Sequence, residues 1–60
     1  MKNFKTEKGT WVNANLFITD NGEHLKVYPW GWIYDKYKDK FPFEAFINLE
    51  GDEVISVETL

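Results

Sequence analysis

The dipeptide Asn21-Gly22 stands between WVNANLFIT and HLKVY, two runs of strand-favouring residues, and this setting strongly signals an antiparallel hairpin. A two-residue type I′ loop needs positive φ at both central positions, which Asn and Gly tolerate best. It would pair Asp20 with Glu23, Thr19 with His24, Ile18 with Leu25, Phe17 with Lys26, Leu16 with Val27 and Asn15 with Tyr28. That register sets Val12, Ala14, Leu16, Ile18, Leu25 and Val27 on one face. Trp11, Asn13, Asn15, Phe17, Thr19, His24, Lys26 and Tyr28 fall on the other. The first face is apolar throughout and predicts the core side, because a slip of one residue would mix the two. Trp11 and Phe17 are also assigned to the core.

The chain has 60 residues and no cysteine, so it forms one domain, 1–60, without disulfide or thiolate-metal staples. A domain this small buries only about 60% of the surface its unfolded chain exposes. Oligomerisation or a dense aromatic core must compensate, and eleven aromatic residues supply the latter. No apolar run is long enough to span a membrane, and MKNFKTEKGT lacks the apolar core of a secretory signal. A soluble, cytoplasmic protein is expected.

Two further hairpins are expected. Phe4 and Thr6 alternate with Lys5 and Glu7 before Lys8-Gly9, so a short first strand could pair back onto residues 10–13. In FEAFINLEGDEVISVETL, the β-branched end and the turn residues around Gly51 predict a second hairpin of undetermined register. Residues 43–49 also fit a short helix, with Pro42 at its start and Gly51 beyond its end, but a strand is preferred.

YPWGWIYDKY, residues 28–37, admits two spacings. As a strand, Tyr28, Trp30, Trp32 and Tyr34 would form a ladder of rings on one face. As a helix, either Ile33, Tyr37 and Phe41 or Trp30, Tyr34, Tyr37 and Phe41 would share a face. Pro29 and Gly31 both oppose a central strand. The reading adopted is a bend at residues 29–31, then a helical or looped insert over 32–40. The predicted fold is mainly β, with α+β as the alternative. It is a small antiparallel sheet or an SH3-like or OB-like partly open barrel of two or three hairpins. Ile33-Tyr34-Asp35-Lys36-Tyr37 resembles the ALYDY-type stretch of SH3 domains. There, however, the stretch opens the domain and the tryptophan pair follows; here Trp30 and Trp32 precede it, and membership is not claimed.

Catalysis has little support in the sequence. Ser56 and His24 lack a nucleophile elbow or an Asp-bearing motif, no loop has the glycines of a phosphate cradle, and no catalytic residue, metal ligand or cofactor is assigned. Asp20, Glu23 and His24 could ligate a metal but suit a tight turn equally, and Glu50, Asp52 and Glu53 lack the spacing of a calcium loop. The seven basic residues are all lysine, which disfavours specific duplex DNA readout.

Recognition through a surface remains. The leading expectation is a non-enzymatic protein-binding module, an accessory or phage-type modulator. Its contacts would be Tyr28, Trp30, Trp32, Tyr34 and Tyr37, because a 60-residue chain cannot hide eleven rings. An acidic C-terminal hairpin would assist: the last twenty residues carry five acids and no base. The alternative is a single-stranded nucleic-acid binder, stacking bases on the Trp and Tyr rings with Lys26, Lys36, Lys38 and Lys40 along the backbone. A structural subunit of a larger assembly is the third reading, and a homo-oligomer is compatible with any of them.

Overall fold

The structure is a computed structural model and describes residues 4–60. In chain order the elements are β1 (Phe4–Asn13), β2 (Leu16–Thr19), β3 (His24–Lys26), β4 (Tyr28–Pro29), α1 (Gly31–Tyr37), β5 (Phe43–Glu50) and β6 (Glu53–Thr59). The strands form one sheet in the order β3-β2-β1-β5-β6-β4. Every neighbouring pair is antiparallel except β4 and β6, which run parallel.

The two ends of that order are neighbours in the chain, since only Val27 separates β3 from β4. The sheet therefore curls until both edges meet in one bent segment, giving the nearly closed small barrel with a short helical insert that the sequence predicted. Taken as a single bent strand, β3 and β4 make the circuit first, second, third, fifth, fourth and back to first. The helix lies between the third and fourth. Of the two barrels considered, this is the strand order of the OB type.

The first hairpin differs from its predicted form. Asn21 does not have positive φ; Gly22 alone does in this loop, at 89°. The loop is Asp20-Asn21-Gly22, closed by Thr19 N–H to the Glu23 carbonyl at 2.9 Å and Gly22 N–H to the Thr19 carbonyl at 2.9 Å. This is the three-residue hairpin, a tight turn followed by one left-handed glycine. Side chains hold it: the Thr19 hydroxyl donates to Asn21 Oδ1 and accepts from the Glu23 N–H at 3.0 Å.

One extra loop residue moves the whole register. Phe17 faces Leu25, Ile18 faces His24 and Leu16 faces Lys26. The predicted core face of Val12, Ala14, Leu16 and Ile18 is only half-buried, whereas Trp11, Phe17, Thr19 and Val27 are buried and Leu25 packs against them. Trp11 and Phe17 pair directly across β1 and β2. Two rings of that size remove more apolar area from water than Leu16 and Ile18 could, so their face turns inward.

β1 also runs unbroken through Lys8-Gly9, where a turn was expected; the chain instead reverses at Ala14-Asn15, with Asn15 N–H bonded to Asn13 Oδ1 at 2.9 Å. Residues 43–49 are strand, as preferred: Ala45, Ile47 and Leu49 are buried at every second position. The second hairpin turns in two residues, Gly51-Asp52, between the paired Glu50 and Glu53. Gly51 takes φ 64° while Asp52 does not have positive φ, the pattern of a type II′ turn.

Four rings plug one end of the interior. Trp11 lies 5.1 Å from Phe41, 5.8 Å from Phe43 and 6.2 Å from Tyr37, and Tyr37 stacks on Phe43 at 5.2 Å, all between ring centroids. The helix contributes Ile33 and Tyr37 to this core, one turn apart. Of the two helical spacings considered, that of Ile33, Tyr37 and Phe41 faces inward.

Candidate functional site

The barrel does not zip shut along its full length. Val27 N–H donates to the Asn15 carbonyl at 3.0 Å, and Asn15 Nδ2 donates back to the Val27 carbonyl at 2.9 Å, joining β3 to the β1–β2 turn. Beyond that point the other edge takes over: Tyr28 N–H reaches the Asp52 carbonyl at 2.9 Å and Trp30 N–H the Val54 carbonyl at 3.3 Å. Alternate donors of an extended chain point opposite ways, so the N–H of residue 29 would continue the Val27 side. That residue is proline and has no such group.

An open groove lies along this seam. It has a volume of about 300 Å³ and is lined by Ala14, Asn15, Tyr28, Pro29, Gly31 and Tyr34. The walls are Tyr28 from β4 and Tyr34 from α1, each 42% exposed. Trp30, at the helix N-cap, turns its indole N–H to Glu53 Oε1 at 3.2 Å. Glu53 in turn stands opposite Tyr28 in the parallel register. Tyr28, Trp30 and Glu53 therefore share one outer corner, next to the groove.

The structure divides the predicted ring set. Tyr28 and Tyr34 meet in the groove, and Trp30 joins them through β4. Trp32 is 58% exposed but does not line the groove; on the helix it is two residues from Tyr34, so the two rings project to different sides. No single four-ring ladder exists. Tyr37, expected among the contact residues, is only 5% exposed and belongs to the core, because a helix packed through Ile33 carries the residue four positions on inward as well.

The lysines proposed for a nucleic-acid path divide between two rings. Lys26 Nζ lies 6.0 Å from the Tyr28 ring centroid, while Lys36 and Lys40 stand over the Tyr37 ring at 5.4 and 5.9 Å. Lys38 is exposed in the turn after the helix. Sequence reasoning missed Asn15, Pro29 and Gly31 as site-forming residues. The absent proline donor was a usable signal, but its meaning depends on which strands flank it.

Among the described residues no three His, Asp or Glu side chains converge as metal ligands, and no helix is long and apolar enough to cross a membrane. Comparison with protein-family models, curated proteins and solved structures finds no match.

Proposed function

We propose that this is a small non-enzymatic protein-binding module that docks a protein partner through the rings around the seam groove. The observation that carries the reading is that Tyr28, Trp30, Trp32 and Tyr34 stay 42–58% exposed while Trp11, Phe17, Ile33, Tyr37 and Ile47 already fill the interior. The fold does not need the outer rings. Trp and Tyr provide large, stiff contact area and dominate the energetics of protein interfaces. Asp52 in the β5–β6 turn and Glu53 at the start of β6 add negative charge beside the groove, which steers encounter more than it adds affinity. A cytoplasmic setting is part of the same proposal. An accessory or phage-type modulator is the context we attach to so small a chain.

The strand order favours a second reading, single-stranded nucleic acid, since OB-type barrels often bind oligonucleotides. Fold order alone does not carry function, and the formal net charge of −3 opposes it.

Affinity capture with the tagged chain, identification of the captured protein and titration with that protein in pure form would test the proposal. Trp30→Ala and Tyr34→Ala should each weaken binding about tenfold or more while leaving the melting temperature within a few degrees. Variants that bind the purified partner as tightly as the parent would overturn it. Tight, steeply salt-dependent binding of an oligo-dT strand would move the assignment to the second reading.

A further inference from the structure

We infer that the groove receives an extended, basic segment of the partner, with an arginine or lysine side chain seated beside Tyr28 and Trp30 against the carboxylate of Glu53. This rests on the protein-binding reading and names the chemistry of the partner.

Complementarity of charge argues for it. Tyr28 and Trp30 are alternate residues of one extended segment and present their rings on one side. Glu53 is held between them, opposite Tyr28 in register and bonded through Oε1 to the Trp30 indole at 3.2 Å. Tyr28 N–H is bonded to the Asp52 carbonyl, so the backbone of a second exposed acidic residue runs beside this corner. Two aromatic rings and the Glu53 carboxylate suit a cation, because the ring quadrupole and the acid attract the same sign. The Tyr28 ring accepts a cation: Lys26 Nζ stands 6.0 Å from its centroid, and a guest cation takes that place only by displacing this exposed lysine.

The shape of the site restricts the conformation of the guest. At about 300 Å³ the groove has room for a few side chains. Strand addition to the sheet is excluded at the seam, where the donors of Val27, Tyr28 and Trp30 are taken and Pro29 has none. An extended segment can instead lay small or apolar residues over Ala14, Pro29 and Gly31, between Tyr28 and Tyr34, and reach Glu53 with a long basic side chain. An acidic peptide or a nucleic-acid backbone would meet like charge at that corner.

The test uses the full chain, labelled with ¹⁵N, and a short Arg-Gly-Ser repeat peptide as probe. Its Glu-Gly-Ser counterpart and a neutral proline-rich peptide are the comparisons. The Trp30 indole N–H is the reporter. The basic peptide should shift that signal together with the amides of Tyr28 and Tyr34, and the other two peptides should not. E53Q keeps an acceptor for Trp30 but removes the charge, and should weaken binding about fivefold. E58Q removes the same unit of charge at an exposed β6 position opposite Phe46 and should leave the affinity unchanged. Equal weakening by both variants, an unmoved Trp30 signal, or equal binding of the neutral peptide would overturn the inference. If the basic peptide fails while a captured partner still requires Tyr34, only the charge of the guest is wrong. If no partner depends on the rings, the docking reading falls with it.

Discussion

Val27 and Tyr28, adjacent in the chain, hydrogen-bond to opposite edges of one sheet: Val27 N–H to the Asn15 carbonyl at 3.0 Å, Tyr28 N–H to the Asp52 carbonyl at 2.9 Å. This pair closes the barrel, since each strand edge left unpaired would otherwise expose a row of donors and acceptors. It also locates the groove, because closure stops at Pro29.

Gly9→Ala should be among the most damaging single substitutions. A Cβ there would lie 2.1 Å from the Ile18 carbonyl oxygen and 2.7 Å from the Thr19 Cα, both backbone atoms that cannot swing aside. β1 and β2 would have to separate at their contact. We expect a loss of about 1–3 kcal/mol or more, lowering the melting temperature by about 4–8 °C per kcal/mol. Calorimetry showing an unchanged transition would refute the close approach.

Trp11 carries a buried indole N–H with no hydrogen-bond partner among the described residues. Leaving such a donor dry costs about 1–3 kcal/mol. Trp11→Phe removes the donor while retaining a ring beside Phe41 and Phe43, so its cost should fall well below that of Trp11→Ala, expected at about 3–5 kcal/mol. Urea denaturation of the two variants compares them directly; equal losses would mean that the indole nitrogen is satisfied.

Exposed and buried side chains should part cleanly around the helix. Trp30→Ala and Trp32→Ala remove rings that are 46% and 58% exposed and should each change stability by less than about 1 kcal/mol. Ile33→Ala, directly after Trp32 and fully buried, should cost about 2–5 kcal/mol. In the parent, acrylamide should quench two of the three tryptophans readily and leave Trp11 shielded. Uniform quenching would contradict this arrangement.

Gly31→Ala should separate stability from binding. The site has open space for a methyl group and no positive φ, and Gly31 is the first helical residue. Alanine there should stabilise the fold by about 0.4–1 kcal/mol, chiefly by restricting the unfolded chain. The same methyl would project from a residue that lines the groove, so partner affinity should fall as the melting temperature rises. A rise in both would remove Gly31 from the contact surface.

Much of the barrel was legible in the sequence because local chemistry and tertiary demand agree there. Asn21-Gly22 and Gly51-Asp52 do turn the chain, Pro29-Trp30-Gly31 does bend it, and Ala45, Ile47 and Leu49 alternate as a half-buried strand should. The register of the first hairpin was not legible. Asn-Gly suits both a two-residue and a three-residue loop, and local preference between them is worth less than burying Trp11 and Phe17 across from each other. The exposed rings were foreseeable as a group from the small interior of a 60-residue chain, but not one by one: Tyr37 went inward and Tyr34 outward.

What the residues determined by themselves is the mainly β character, the reversals at Asn21-Gly22 and at Gly51, and an aromatic load larger than the core could absorb. Which face turned inward, which rings met and where the barrel stayed open were decided only when β1, β5 and β6 came together. Those choices depend on contacts between residues far apart in the chain, whose energies exceed the small differences among local conformations that a linear pattern can report.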